Sequence, residues 1–430
     1  MTEMKDSGIE WLGLIPAHWK ISQIGRHFDI VLGKMLQPNK INEDDTLENY
    51  LCAVNLSKNN LNFNEVRQMW FSTSEKKIYS LQKNDLLVVE GGDIASADII
   101  QFDVENLYFQ NALHRVRAKE NFNIIFLKYW LSFVKSTGYI DLICNKATIA
   151  HFTKQKFSKL PFAFPPLAEQ KKITDFLDKK CSAIDSAVDA AKKLVAKLRD
   201  YKKSLITETV TKGLNPSAEM QDSGIEWLGA IPSHWKICRL KNLAQIVTGN
   251  TPDKKYENQD NYSSQGMMWI KPNDLNELKY IEETQEYLSK QGESLAKIVP
   301  ANTPMVCCIG SIGKIGVANS IAAFNQQING IVFNQKIFNV RYGLYVLISQ
   351  EPQHWFYANG NVLKILNAFN QGNIKFPLPP LAEQKKIADF LDKKCAAIDE
   401  NICRREKLID KLTEYKKSLI YEVVTGKMEV

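Results

Sequence analysis

The chain has 430 residues, 44% of them apolar and 24% charged, which is the composition of a globular protein of two or three domains. Its 55 lysines and arginines against 48 aspartates and glutamates leave a net charge of +7, compatible with an acidic partner such as nucleic acid but diagnostic of none. No run approaches the ~18 apolar residues that span a bilayer, the N-terminal MTEMKDSG has no hydrophobic signal core, and the eight cysteines show neither CxxC nor a Cys/His zinc spacing. A membrane protein and a zinc module are therefore excluded, export is not expected, and a reducing cytoplasm is the expected compartment.

Read from the N-terminus, the first block is MKDSGIEWLGLIPAHWK (Met4–Lys20). It returns as MQDSGIEWLGAIPSHWK (Met220–Lys236), with 14 of 17 positions identical. A divergent region follows each copy. From about Trp19 to Lys159 it carries strand-like apolar runs such as Asp85–Glu90, polar turns such as Ser57–Asn62 and a helical stretch at Ile124–Val134. From about Trp235 to Lys375 the same order recurs, with a strand at Met305–Ile309 and a helix at Tyr342–Ser349. Cys307-Cys308 reads as buried strand.

Each divergent region ends at a second repeated block. PPLAEQKKITDFLDKKCSAID (Pro165–Asp185) recurs as PPLAEQKKIADFLDKKCAAID (Pro379–Asp399), identical at 19 of 21 positions, and YKKSLI occurs at Tyr201–Ile206 and Tyr415–Ile420. The offsets are 216, 214 and 214 residues, so the chain is a tandem duplication. The proline pairs predict helix starts, and no proline or glycine follows until Gly213 and Gly426, which predict C-terminal stops. Each helix then runs about 45 residues, or roughly 65 Å.

Apolar residues at alternating spacings of three and four form one seam through Leu177, Cys181, Ile184, Val188, Ala191, Val195, Leu198 and Leu205. The second copy has Leu391, Cys395, Ile398, Ile402, Ile409, Leu412 and Leu419, broken by Arg405. A helix this long, charged on its other faces, needs a partner along its length. The expected partner is its own duplicate, paired antiparallel within the chain about a pseudo-twofold axis. Docking of each helix on its own domain, or a homodimer seam, are the alternatives.

Catalytic motifs are missing. Gly310-Ser311-Ile312-Gly313-Lys314 falls short of a phosphate loop: the required first glycine is Cys308 and the residue after Lys314 is Ile315. A tight turn after a strand and a backbone contact with nucleic acid both fit it. No GxSxG or HExxH occurs, and neither does an Asn/Asp-Pro-Pro-aromatic tetrapeptide of the kind methyltransferases use. His18 and His234 repeat inside the IPxHW blocks and read as packing residues. Glu105–Gln110 (ENLYFQ) matches the sequence read by a plant-virus protease and is assigned no function.

With its duplicated frame, its PPLAEQKKI helix starts and its SGIEWLGxIPxHWK blocks, the chain resembles the specificity subunit of Type I restriction-modification systems along essentially its whole length. The resemblance implies an α+β protein with two α/β target-recognition domains at 1–160 and 216–375. Two long antiparallel helices at 161–215 and 376–430 would join them as an intramolecular coiled coil. It further implies that each recognition domain reads one half of a bipartite, asymmetric site on double-stranded DNA while the helices set the unread spacer. The subunit would have no catalysis and no cofactor of its own. It would recruit two adenine methyltransferase subunits, which use S-adenosylmethionine, and restriction subunits that use ATP and magnesium. Two other classes stay open on the residues alone, a scaffold whose inserts bind protein and an enzyme with a dispersed site.

Candidate readers come from polar clusters beside glycine turns, because Gln and Asn can contact adenine, and Arg or Lys guanine, through two hydrogen bonds. FQNALHRVR (Phe109–Arg117) aligns with FNQQINGIV (Phe324–Val332). These segments point to Gln110, Asn111, His114 and Arg115 in the first region and to Asn325, Gln326, Gln327 and Lys314 in the second. The competing reading is that these side chains satisfy buried backbone. The early loops GKMLQPNK and GNTPDKKY add Lys34, Gln37, Asn39 and Lys40, and Asn250, Thr251, Lys254, Lys255 and Tyr256, as phosphate or base contacts. The later segments Lys146-Ala147-Thr148 and Asn370–Asn373 add Thr148 and Asn370.

Overall fold

The computed structural model describes residues 3–120, 122–144, 151–252, 261–276 and 280–430. The chain divides into two compact units, one of Met1–Lys192 with Glu406–Val430 (unit 1), the other of Lys193–Arg405 (unit 2). Among the described residues, no helix is long and apolar enough to cross a membrane.

The expected long helices run over Leu167–Lys212 and Leu381–Val424, 46 and 44 residues. Each starts just after its proline pair, with the Gln170 and Gln384 amides bonded to the Pro166 and Pro380 carbonyls. Gly213 and Gly426 follow their ends at φ +76° and +69°, the left-handed conformation that stops a helix and favours glycine.

Within unit 1 the seam residues Ile173, Leu177, Cys181, Ile184 and Val188 share a core with Leu419, Ile420, Val423 and Val424 of the second helix. Within unit 2, Val195 packs with Ile398 and Ile402, and Ile206 and Val210 share a core with Ile387 and Leu391. Ascending numbers on one helix meet descending numbers on the other, so the pairing is antiparallel. Lys416 bridges Asp185 at 2.7 Å in unit 1, and Lys202 bridges Asp399 at 2.7 Å in unit 2. These are one contact made twice with the helices' roles exchanged, since Asp399 and Lys416 are the repeat equivalents of Asp185 and Lys202.

The two divergent regions fold alike. In unit 1 an antiparallel sheet orders Phe28–Leu32, Leu113–Ala118, Leu86–Val89 and Ala97–Ile99. In unit 2 the order Ala244–Thr248, Ile328–Phe333, Pro304–Cys307 and Ile315–Ala318 repeats it, with Tyr280–Ile281 added at the edge. Each unit also has a parallel pair, Leu107–Phe109 on Thr46–Leu51 and Ala322–Phe324 on Met267–Ile270. Ser57–Asn62 is a hairpin turn, with Lys58 and Asn59 at positive φ between short strands.

A helix at Ile124–Ser136, and its equivalent at Val340–Ser349, packs on this sheet and on the start of the long helix. The capping side chains of Asn123 and Asn339 each receive the first free helical amides. Their own amides donate to Gln170 (2.9 Å) and Gln384 (2.7 Å) of the long helices. Tyr129 donates to Asp178 (2.7 Å), and Tyr345 to Asp392 (2.8 Å). Burial and the adjacent carboxylate push both phenols well above their ordinary range, so each remains a neutral donor. The WLGxIP blocks bury Leu12, Ile15 and Trp19, and Leu228, Ile231 and Trp235, against the helix starts. There His18 meets Glu169, and His234 meets Glu383, each at 2.9 Å.

Candidate nucleic-acid interface

The early loop and the later polar cluster, far apart in sequence, meet in both units. In unit 1 the Gly33 amide donates to the Leu113 carbonyl, Lys34 N to Phe109 O and Asn111 N to Lys34 O. A Cβ at Gly33 would stand 2.3 Å from the Gln110 carbonyl, so only glycine permits this approach. In unit 2 the Gly249 amide donates to Ile328 O and Asn250 N to Phe324 O, and a Cβ at Gly249 would stand 2.2 Å from Phe324 O. The two crossings are superposable by repeat offset, and the side chains they present differ.

Exposure sorts the candidates. Asn39, Lys40, Thr251 and Gln326 are exposed. Gln37, Gln110, Asn111, Asn250, Lys314, Gln327 and Asn370 are half-buried, while Lys34, His114, Arg115 and Asn325 are buried. Lys254, Lys255, Tyr256 and Thr148 lie outside the described residues.

Among the exposed and half-buried candidates, Lys40 lies over the Trp70 ring at 5.8 Å. Gln37 donates to Asp45 (2.8 Å), whose carboxylate also accepts the Asn42 and Ile41 amides; these hold its pKa down to about 2. That carboxylate organises the loop from which Asn39 and Lys40 project. Thr251 Oγ1 donates to the side-chain Oε1 of Gln326, linking loop to cluster. The Asn250 side chain ties this loop to a distant segment, its Nδ2 donating to Leu295 O and its Oδ1 accepting from Lys297 N. The Lys314 ammonium donates to Pro272 O at 2.8 Å, and Asn370 Nδ2 to Tyr357 O at 3.1 Å. The turn Gly310–Gly313 joins two sheet strands, with both glycines at positive φ.

The buried candidates are committed internally. The Lys34 ammonium contacts Glu75 and Gln37 and sits over the Phe71 ring. Asn325 pairs with Gln327 through Nδ2 and Oδ1. His114 Nε2 donates to Phe152 O at 2.7 Å, and burial lowers its pKa so that the ring is neutral. The Arg115 guanidinium, 5% exposed, donates to Ile78 O and Ser80 O at 2.8 and 2.9 Å and lies over the Phe109 ring.

One basic feature escaped the sequence reading. Strand Lys236–Arg239 pairs with Lys375–Leu378 so that Arg239 directly faces Lys375, a like-charge pairing that disfavours the sheet. With Lys241 and Asn242 they line an open groove of about 480 Å³ that no carboxylate lines. Unit 1 has Gln23 opposite Pro161 there. Arg239 and Lys241 are adjacent enough to notice in sequence, but only strand pairing adds Lys375.

No group of three or more His, Cys, Asp or Glu among the described residues is placed to hold a metal.

The family model for the Type I restriction modification DNA specificity domain matches residues 16–189 and again 232–408. The chain belongs to that family. This specificity-domain protein is 25% identical to the Type I restriction enzyme MjaVIII specificity subunit of Methanocaldococcus jannaschii, over 97% of its own length and 94% of the relative's. Its fold is shared, at 14% identity and a TM-score of 0.72, with a solved chain from work on complex assembly and conformational transition of the type I R-M system; 96% of this chain and 99% of that one align. The HsdS subunit of Thermoanaerobacter tengcongensis aligns over 98% and 100% of the two chains, with a TM-score of 0.53 and 14% identity. The specificity subunit thus serves DNA sequence recognition within a type I restriction-modification system, and catalysis is not its part.

Proposed function

We propose that each unit of this specificity subunit reads one half of a bipartite, asymmetric DNA site. Exposed Asn39, Lys40 and the Gln110-Asn111 edge serve the first half-site, and Thr251, Gln326 and Gln327 the second. The observation that carries this reading is the repeated crossing of loop and cluster at Gly33 and Gly249: like backbone paths present unlike side chains. Unlike readers on like frames select an asymmetric site, whereas like readers would select a palindrome. The recognition domains are assigned to 1–160 and 216–375.

Arg239, Lys241 and Lys375 are assigned to phosphate, where they add affinity and salt dependence but no base preference. The length of the two long helices sets the unread spacer. One heptad inserted in each should alter the number of unspecified base pairs and leave the half-sites intact. The copied frame recruits two adenine methyltransferase subunits, with restriction subunits in the full complex, in the cytoplasm. S-adenosylmethionine, ATP and magnesium belong to those partners.

Methylome sequencing of a host with and without the gene tests the reading. A split adenine-methylated motif should vanish with the gene, and a methylome that does not change would overturn the proposal.

A further inference from the structure

Unit 2 carries a narrow finger beside its reading edge. Asn359 and Ile365 bond to each other in both directions (3.0 and 2.8 Å), a single antiparallel bridge that closes the loop Gly360–Lys364. Gly360 has φ +131°, and a Cβ there would lie 2.1 Å from Leu363 O, so the tight closure depends on glycine.

The backbone ladder places this finger. The Cys308 amide donates to Gln327 O (2.7 Å), and Cys308 O accepts from Leu366 N (2.9 Å). The base of the loop therefore stands two strand spacings, about 10 Å, from the Gln327 backbone. Asn370, another candidate reader, donates to Tyr357 O just before the bridged loop.

The tip is apolar and uncovered. Val362 is 103% exposed and Leu363 54%, flanked by the exposed Asn361 and Lys364. One exposed valine is ordinary. Two successive apolar residues at the tip of a bridged loop, flanked by an amide and a cation, form a surface suited to a target of mixed chemistry. In the DNA major groove thymine displays an apolar C5-methyl group beside hydrogen-bonding base edges and flanking phosphates.

We propose that Val362 and Leu363 recognise a thymine methyl group in the half-site read by unit 2, with Lys364 on the neighbouring phosphate. This rests on the reading of unit 2 as a DNA reader and adds a base-specific contact that hydrogen-bonding side chains do not supply. By repeat offset the matching segment of unit 1 is 146–150, outside the described residues.

The test uses the purified full chain and duplexes carrying its methylome-defined motif, with uracil replacing each thymine of the half-sites in turn. Uracil lacks only the methyl group. One replacement should weaken wild-type binding about fourfold, the worth of one buried methyl group. The Val362→Ala/Leu363→Ala double variant should bind the thymine and uracil duplexes equally at that position. Both side chains are exposed, so an unchanged melting temperature is expected and controls for folding. Wild-type binding indifferent to every replacement, or a variant that keeps the wild-type response, would overturn the proposal; a wedge or protein-docking role for the finger would give one of these results. Equal wild-type binding to the motif and to a scrambled duplex would overturn the underlying reading, and the proposal with it.

Discussion

The two units solve the same structural problems with different residues. Unit 1 satisfies the Phe152 carbonyl, next to a helix cap, with the imidazole of His114; unit 2 satisfies the equivalent Leu366 carbonyl with the amide of Asn329. Arg115 in unit 1 occupies the register position of Gly330 in unit 2, each facing the matching neighbours on both adjoining strands. There Arg115 reaches across the Phe109 ring, whereas at Gly330 the equivalent Phe324 ring closes to 3.1 Å of a would-be Cβ. By contrast, Gln170 and Gln384 bond the Asn123 and Asn339 amides, Tyr129 and Tyr345 bond Asp178 and Asp392, and Glu169 and Glu383 bond His18 and His234, the same contacts in both units. Most positions that hold a unit to its long helix therefore keep residue and contact, the Trp19 Nε1 bond to Glu169, which Trp235 does not repeat, being an exception. Positions in the insert keep only the backbone path and the requirement that buried polar groups find a partner.

The strongest way to break this comparison is through the seam. Leu177 and Leu391 are both 0% exposed in equivalent places. Truncation of either to alanine should cost about 2–5 kcal/mol by chemical denaturation, with the two values within about 1 kcal/mol of each other. A large cost in one copy only would mean that the frames are equal in sequence but not in packing.

A second large effect is the pH dependence that a buried histidine gives unit 2. His354 of unit 2 is fully buried beneath the Gly313 turn with both ring nitrogens unbonded, and burial pulls its pKa down to about 4. The folded ring is thus neutral, while the unfolded one takes up a proton below about 6.5. Its contribution is complete above that value and is lost as pH falls towards 4, amounting to about 3 kcal/mol at most. His354→Leu should flatten that part of the stability profile between pH 6.5 and 4; a profile parallel to the parent's would show that the site is hydrated.

Arg115 gives the next effect. Arg115→Ala should lower stability by about 1–3 kcal/mol, because the Ile78 and Ser80 carbonyls lose their donor. A methylated motif relaxed at one position, with an unchanged denaturation midpoint, would instead make Arg115 a base reader.

Much of this was legible in the chain. Heptad spacing, the proline pairs and Gly213 and Gly426 marked both long helices to within a few residues, because those signals are local. The reading edge was only half legible. Phe109–Arg117 and the GKMLQPNK loop stood out as polar segments, but nothing local says that Gly33 crosses Gln110, since that depends on sheet order. The exposure of Gln326 against the burial of Arg115 was invisible for a related reason. Alternation along a strand names a face without saying whether another layer covers it. Arg239 and Lys375, 136 residues apart, became a pair only through strand register.

The smallest predicted effect bears on the helix pair. The Lys202–Asp399 and Lys416–Asp185 bridges have aspartates 52% and 57% exposed, so each should contribute only about 0.2–1 kcal/mol, falling with salt. Their value lies in register: a slip of either helix by one turn would separate both pairs at once, because the contacts exchange between repeats. Asp399→Lys places two lysines opposite each other and should lower the melting temperature slightly; adding Lys202→Asp should restore it. Asp185→Lys should behave alike and be rescued by Lys416→Asp but not by Lys202→Asp. Rescue by the wrong lysine would contradict the antiparallel register, even with every apolar seam residue still buried.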